Sequence, residues 1–208
     1  MTTDLRNQVI LEGTALGSPV WSHENHGTAF YRLFLEVRRL SGQSDRLPVL
    51  LSEALCSELE PGQPYRITGQ LRSFNNRTGV GNRLVLSVYA QEAVPSDGPP
   101  CNLVQLSGHL CKPPILRRTP LGRSICDLML AVPRRYGKAD YIPVIAWGQL
   151  ALQASRLSVG DPLTLDGRFQ SRTYQKVTDF AVEDRIAYEI SVMRLPDSIC
   201  PVVAAAQC

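Results

Sequence analysis

An internal repeat constrains the fold of this chain more than any other feature of its sequence. Residues 7–13 recur as residues 102–108, with asparagine, valine, leucine and glycine at matching positions 95 residues apart. Further segments repeat at offsets of 95 or 98 residues, namely 47–49 as 142–144 and 61–73 as 159–171. A period of this length is too long for a solenoid unit and is the size of one small domain. We therefore predict two tandem domains.

The repeat also sets the predicted boundaries. Domain 1 covers residues 1–94 and domain 2 covers residues 101–195, while residues 95–100, rich in proline, serine and glycine, link them. Residues 196–208 are a C-terminal tail. Glycine and proline, 15 residues of each, and many short alternating segments favour β structure with tight turns.

Domain 2 is predicted to contain five strands and one short helix, in the order of an OB-fold. The alternation predicts strands at 103–110, 124–132, 140–148, 163–169 and 186–194, with a helix at 149–157. Gly167 lies inside the fourth strand, where a glycine lets a tightly coiled barrel bend. The predicted fold class is therefore all-β with short helices, built as two tandem five-stranded OB-fold barrels.

The third predicted strand of domain 2 has two different faces. Ile142, Val144 and Ala146 are apolar and fall on one side, while Tyr141 and Trp147 fall on the other. A buried core needs only the first set, so the two rings indicate a surface on which a flat group stacks. The alternative is that Trp147 caps the core where the strand ends.

Positive charge is concentrated in domain 2. Residues 101–195 contain 13 Lys and Arg against 8 Asp and Glu, whereas residues 1–94 contain 9 of each kind. On the fourth strand, cations and a ring share the face opposite the apolar side chains, as is typical of phosphate contacts beside a stacking surface. Two loops are also basic, and their alternative interpretation is a solvated turn. The candidate nucleic-acid contacts are Arg168, Arg172, Arg134, Arg135, Lys138, Arg117, Arg118 and Arg123.

Domain 2 resembles the DNA-binding domain of bacterial single-stranded DNA-binding proteins over nearly its whole length. The most specific matches are Trp147-Gly148 ahead of the helix, and the pattern Gly-x-x-x-Ser-Arg-x-aromatic from Gly167 to Tyr174. By this resemblance the base-stacking aromatics are Tyr136, Tyr141, Trp147 and Tyr174. The chain is similar to two-domain members of the family, which pair to assemble four OB-folds, so the resemblance implies a homodimer.

Domain 1 departs from the family pattern. At the positions of the four aromatics it carries Ser41, Arg46, Ser52 and Asn76. We therefore expect domain 1 to be a structural or pairing domain. The alternative is a secondary nucleic-acid contact through Arg72, Phe74, Arg38 and Arg39. Trp21, in the first hairpin, is expected to pack.

The resemblance implies a cytoplasmic, nucleoid-associated protein that coats single-stranded DNA without sequence specificity, in replication, recombination or repair. An alternative of another class is an OB-fold adaptor, as primosomal relatives partly are, that mainly binds proteins. RNA also stays open as the ligand, because stacking does not distinguish the sugar. No acidic residue follows Asp197, so recruitment of repair enzymes through an acidic C-terminal tip is not expected.

Enzymatic, metal and membrane functions find little support in the sequence. It contains no phosphate loop, nucleophile elbow or paired-carboxylate motif. His23 and His26 lack further ligands and indicate a polar turn, and the six cysteines, without a Cys-x-x-Cys pair, indicate reduced cytosolic thiols. No apolar run approaches the roughly 18 residues of a transmembrane helix, and residues 1–6 lack the apolar core of a signal peptide. We expect no enzyme activity, no cofactor, no metal and no membrane partner.

Overall fold

The computed structural model describes residues 6–56, 59–76, 82–177 and 182–196. Of the predicted tail, all residues after Pro196 lie outside these ranges. The elements in chain order are β1 (Asn7–Ala15), β2 (Val20–Asn25), β3 (Thr28–Arg38), β4 (Ser44–Ser52), α1 (Glu53–Cys56), β5 (Pro64–Asn75), β6 (Leu84–Pro95), β7 (Cys101–Leu110), β8 (Ile115–Arg118), β9 (Ser124–Pro133), β10 (Ala139–Trp147), α2 (Gln149–Ala154), β11 (Pro162–Val177) and β12 (Val182–Arg194).

Ten of these strands close into two barrels. In barrel 1 (residues 7–95), β1 pairs antiparallel with both β5 and β3, and β4 pairs in parallel with β6. In barrel 2 (residues 101–194), β7 pairs antiparallel with both β11 and β9, and β10 pairs in parallel with β12. Five strands in a closed barrel, with a helix between the third and the fourth, form an OB-fold. The predicted fold class is confirmed.

The core of each barrel follows the predicted alternation. In β10, Ile142, Val144 and Ala146 are at most 2% exposed and face inward. Phe169 in β11 and Leu71 at the equivalent position of β5 are fully buried. Burial of apolar side chains is the main favourable term in folding, so this alternation determines which side chains remain available on the outer faces.

Each barrel carries one strand that the sequence did not predict. Among the strands that the structure describes, β2 pairs only with β3 and β8 only with β9, and every residue of β2 and β8 is exposed. With no buried face, these edge strands lack the alternation that identifies a strand. Trp21 lies in β2 and is 62% exposed, so the expectation that it packs is wrong.

The helix of barrel 2 is shorter than predicted. It ends at Ala154 because the N–H groups of Arg156 and Leu157 donate to carbonyls three residues back, which makes a tighter turn than an α-helix. Neither helix of the described residues has the length or apolar character needed to cross a membrane.

Gly167 lies at a bulge of β11, the fourth predicted strand of domain 2, where a glycine is predicted to let the barrel bend. The β11–β12 register shifts between Asp166 and Gly167, and the β5–β6 register shifts at the equivalent Gly69. A Cβ atom at Gly167 would lie 2.7 Å from the carbonyl oxygen of Ser191. A bulge sharpens the local twist, so a glycine here lets the long strand bend around the barrel.

The two barrels are joined through their first strands. β1 and β7 pair antiparallel over six residue pairs, with Val9 opposite Val104, its equivalent in the repeat. An antiparallel pairing centred on equivalent residues relates the two barrels by an approximate twofold axis. The described strands therefore form one 12-stranded sheet.

We expect Gly167→Val to lower the free energy of unfolding by about 1–3 kcal/mol, because the added side chain overlaps the β12 backbone. The measurement is urea unfolding followed by circular dichroism. Thr173→Val places the same side chain at an exposed position of β11 and is expected to change stability by less than about 0.5 kcal/mol. Equal stabilities of the two variants would contradict this role of Gly167.

Candidate nucleic-acid interface

Strand β10 presents two of the predicted rings. Its inward residues fill the core, so Tyr141 and Trp147 emerge on the opposite face, where they are 49% and 39% exposed. At about 3.3 Å per residue, the backbone positions that carry the two rings stand about 20 Å apart along the strand. This distance leaves room for more than one base between them.

The other two predicted rings lie on a turn and on β11. Tyr136 is 97% exposed in the single 3₁₀ turn Arg135–Gly137, where its backbone is left-handed with φ at 63°. Tyr174 is partly buried, and its hydroxyl donates a hydrogen bond of 3.1 Å to Oδ1 of Asn82 in barrel 1. The four rings therefore differ in conformational freedom, since Tyr136 is open to solvent and Tyr174 is held by a hydrogen bond.

The strand register places arginines on the same face as the β10 rings. Arg168 in β11 lies opposite Ser191 in β12, and Ser191 lies opposite Ile145 in β10. Residues opposite each other across a sheet point to the same side, and Ile145 has the same parity as Tyr141 and Trp147. We call this side, with Tyr141, Trp147, Arg168, Arg172 and Tyr174, the outward face of barrel 2.

The two arginines of the outward face have different surroundings. Nε of Arg168 is buried and has no hydrogen-bond partner among the described residues. Arg172 is exposed, with its guanidinium carbon 5.9 Å from the ring centroid of Tyr174 and its Nε 3.9 Å from the carboxylate of Glu189. A donor without a protein partner and a guanidinium beside a ring together suit an anionic ligand with flat groups.

Acidic residues on the same face are compensated by neighbours. Glu189 accepts a hydrogen bond of 2.8 Å from the amide of Gln170. Asp127 pairs with Arg117 at 2.6 Å, and both side chains are about half exposed. An exposed ion pair is worth little in water, so a phosphate could replace Asp127 as the partner of Arg117.

Four more predicted cations are exposed in the two loops that flank the outward face. Arg118 and Arg123 lie on the β8–β9 hairpin, and Arg135 and Lys138 lie on the turn between β9 and β10. Arg135 and Lys138 flank the exposed ring of Tyr136. The structure therefore gathers most of the predicted contacts along one side of barrel 2.

Arg134 lies elsewhere, in a buried cluster between the barrels. Its guanidinium makes a bidentate ion pair with Asp140, whose side chain is fully buried. Ser73 of barrel 1 completes the cluster, because its N–H donates to Asp140 at 2.5 Å and its carbonyl accepts from Arg134 at 3.1 Å. We call Arg134, Asp140 and Ser73 the Asp140 clasp. It uses the donors that Arg134 would otherwise offer to phosphate.

A second cluster repeats this arrangement across the approximate twofold axis. Arg39 donates to the buried Asp45 at 2.5 and 2.6 Å, and the N–H of Ser171 in barrel 2 donates to Asp45 at 2.7 Å. The hydrogen bond to Asp45 raises the pKa of Arg39 above its ordinary value. We call Arg39, Asp45 and Ser171 the Asp45 clasp. Each clasp thus joins an Arg–Asp pair of one barrel to a serine of the other.

Of the remaining predicted contacts of domain 1, one is held by a buried carboxylate and two are exposed. Arg72 lies 3.3 Å from Asp140 and donates to Gln70 at 2.6 Å, so its guanidinium is occupied. Phe74 is 56% exposed and Arg38 is exposed at the end of β3. Only these last two side chains are open to a ligand.

Barrel 1 also carries a ring that the sequence analysis missed. The guanidinium carbon of Arg46 lies 4.5 Å from the ring centroid of Phe34, and that of Arg32 lies 5.7 Å from it. The signal was the alternation along β3, which puts Arg32 and Phe34 on one face beside Arg46, the repeat equivalent of Tyr141. The outer face of barrel 1 therefore presents cations packed on a ring.

One histidine and the four cysteines that the structure describes have structural surroundings. The ring of His23 stacks on Phe30 at a centroid distance of 5.2 Å. Burial raises the pKa of the thiols of Cys56, Cys101, Cys111 and Cys126, which lowers their reactivity. Among the described residues, no group of three or more histidines, cysteines or acids is placed to hold a metal ion.

Comparison with known proteins identifies relatives of barrel 2. Residues 101–195 match the model of the single-strand binding protein family. The single-stranded DNA-binding protein of Clostridium tetani is 41% identical over 81 residues, 36% of this chain and 56% of that protein. Single-stranded DNA-binding protein 1 of Clostridium acetobutylicum is 34% identical over 84 residues, 36% of this chain and 76% of that protein.

A solved structure matches both barrels. The crystal structure of wild-type single-stranded DNA binding protein from Thermus aquaticus is similar with a TM-score of 0.72 at 28% identity, over 98% of this chain and 97% of that chain. In sequence, the chain covers between 36% and 56% of the length of the curated relatives from Clostridium tetani, Listeria innocua and two Thermus species.

We expect Asp140→Asn to lower the free energy of unfolding by about 3 kcal/mol, because it leaves the Arg134 charge partly buried without its counter-ion. Urea unfolding followed by circular dichroism measures the loss. Asp127→Asn makes the same change in an exposed pair and is expected to cost at most about 1 kcal/mol. If both variants lost the same free energy of unfolding, the Asp140 clasp would contribute no more to stability than an exposed ion pair.

Proposed function

The chain belongs to the single-strand binding protein family, and on that premise we propose that it binds single-stranded DNA and coats it without sequence specificity. The observation that carries the proposal is the outward face of barrel 2. There Tyr141 and Trp147 are exposed on one strand, with Arg168 and Arg172 on the same face. Aromatic side chains beside cations are the combination that binds single strands.

In the proposed mode, the strand crosses the outward face of barrel 2 and its bases stack on the exposed rings. Each stacked base contributes about 1–3 kcal/mol, and stacking tolerates any base because every base has a flat face. The rings that take bases are Trp147, Tyr174, Tyr141 and Tyr136. Recognition through ring faces explains binding without sequence specificity.

In this proposal, cations along the outward face of barrel 2 and its flanking loops bind the phosphates. Arg168 lies on the outward face, and Arg172 offers a guanidinium already placed beside the Tyr174 ring. Cations in the flanking loops extend the path, namely Arg117, Arg118, Arg123, Arg135 and Lys138. Neutralising phosphates releases counter-ions, so binding weakens as the salt concentration rises.

The arginines that contact the buried carboxylates of the two clasps have a different role in this proposal. The guanidinium groups of Arg134, Arg39 and Arg72 are occupied by buried carboxylates, and withdrawing them would leave those charges unpaired. We therefore leave them out of the binding path. In barrel 1, Phe74 and Arg38 provide at most a secondary contact.

We propose further that two chains pair as a homodimer with four OB-folds. The support is the resemblance of the sequence to two-domain members of the family, which pair to assemble four OB-folds. The likeness in fold to the Thermus aquaticus protein extends over both barrels. The protein acts in this proposal as a non-enzymatic binder at the nucleoid, where replication, recombination and repair expose single strands.

The proposal predicts that Trp147→Ala weakens binding to fluorescein-labelled oligo-dT by about 1–3 kcal/mol, because one stacked base loses its ring. Fluorescence anisotropy at low salt measures the affinity. Trp21→Ala removes the other tryptophan, which is exposed on barrel 1, and is the matched control with unchanged affinity. In the Trp21→Phe protein, quenching of the remaining tryptophan by DNA reports directly on Trp147.

The same titration separates the alternatives. No binding of oligo-dT by the unaltered protein at low salt would contradict the proposal and favour a protein-binding adaptor. Tighter binding of oligo-rU than of oligo-dT would assign the ligand as RNA. An affinity for oligo-dT that is unchanged by Trp147→Ala would show that the site is not at Trp147, and Phe74 would be the next ring to substitute.

The proposal also predicts the salt dependence of single variants. Arg172→Ala should reduce the slope of the logarithm of the binding constant against the logarithm of the salt concentration by about 0.7, as expected for one lost phosphate contact to a single strand. Arg66→Ala, which removes an arginine paired with Glu12 in barrel 1, should leave the slope unchanged. Equal slopes for both variants would exclude Arg172 from the phosphate path.

A further inference from the structure

We propose that two side chains of barrel 1, Ser73 and Asn82, are positioning residues for the binding surface of barrel 2. Ser73 holds the backbone at Tyr141, and Asn82 holds the hydroxyl of Tyr174. The inference rests on the proposed function, because it assigns barrel 1 the task of orienting rings whose equivalent positions in barrel 1 are not aromatic.

The contact at Ser73 completes the hydrogen bonding of β10. The N–H of Tyr141 donates to Oγ of Ser73 at 2.8 Å. On that edge, β10 pairs with β12 only at Val144 and Ile145, so the strand edge at Tyr141 is left to another acceptor. A backbone donor in a partly buried setting needs an acceptor, and Ser73 provides it from the neighbouring barrel.

The residue before the ring is held from the same side. Asp140 is fully buried and receives the N–H of Ser73 at 2.5 Å together with donors from Arg134 and Arg72. Two consecutive residues of β10 are thus fixed by barrel 1, while the ring of Tyr141 stays 49% exposed. A ring whose backbone is already held in place, and whose face is exposed, loses little conformational entropy when a nucleobase stacks on it.

Asn82 orients the second ring. Its Oδ1 accepts the hydroxyl of Tyr174 at 3.1 Å, while its Nδ2 donates to the carbonyl oxygen of Ile186. Tyr174 and Ile186 lie on the paired strands β11 and β12, so the Asn82 amide bridges the ring to the backbone beside it. Arg172 stands on the same ring at 5.9 Å, and a fixed ring keeps that cation in place.

The approximate twofold axis supplies an internal comparison. Ser171 occupies the position equivalent to Ser73, but both its N–H and its hydroxyl bond to Asp45, at 2.7 and 3.1 Å. The residue after Asp45 is Arg46, where barrel 2 has Tyr141. The Asp45 clasp therefore has a structural role alone, whereas the Asp140 clasp also supports the ring of Tyr141.

The matched pair Ser73→Ala and Ser171→Ala tests the proposal. Each removes one hydroxyl from one clasp, so we expect similar shifts of the urea unfolding midpoint. Ser73→Ala should weaken oligo-dT binding about 5-fold, as for one lost hydrogen bond, whereas Ser171→Ala should leave the affinity unchanged within about 2-fold. A role in stability alone would move both affinities together.

Double variants show whether the serine acts through the ring. In a Tyr141→Ala background, Ser73→Ala should have no further effect on affinity, because there is no ring left to orient. For the second contact, Tyr174→Phe keeps the ring and removes the hydroxyl. It should weaken binding as much as Asn82→Ala, and the combined variant should be no weaker than either single one.

The outcomes are distinguishable from failure of the proposed function. If the unaltered protein does not bind oligo-dT, the proposed function and this inference fail together. If it binds, and Ser73→Ala and Ser171→Ala change the affinity equally, the positioning role of Ser73 is overturned while the binding function stands. Additive losses in the Asn82→Ala and Tyr174→Phe pair would likewise overturn the role of Asn82.

Discussion

The antiparallel pairing of β1 with β7 is the interaction on which the rest of the structure depends. It sets Val9 opposite Val104 and thereby fixes the approximate twofold axis between the barrels. Because of that axis, β5 of barrel 1 comes to lie beside β10 of barrel 2, and β11 beside β4. Both clasps form only in this arrangement, since each contains residues from both barrels.

The clasps show how two similar barrels become one unit. Asp45 and Asp140 are fully buried, and a buried carboxylate is tolerated only with several donors around it. Each receives a guanidinium from its own barrel and a backbone N–H from the other. Separating the barrels would remove that N–H from both carboxylates at once. The polar junction therefore favours a single relative orientation.

Local patterns predicted much of this structure from the sequence. The repeat, the order of the elements and the alternation in β10 correctly indicated two OB-folds and their inward side chains, and the glycine within the fourth strand indicated the bulge at Gly167. The resemblance to the single-strand binding protein family is confirmed. These features depend on neighbours along one strand. Strands β2 and β8 were missed because neither has a buried face. That Arg134 and Asp140 pair in a buried cluster was missed because the cluster is completed by Ser73, which is distant in sequence and is brought there by the β1–β7 register.

The short linker between the barrels has a consequence for how the chain can evolve. Because residues 96–100 connect the two barrels, the pairing of β1 with β7 is intramolecular and does not depend on protein concentration. Two identical separate subunits must each carry every functional side chain, but two linked halves need not. One half is free to specialise in contacting the ligand, and the other half in holding the contacting half in shape. Equivalent mutations in the two halves can therefore differ in their effect on ligand binding.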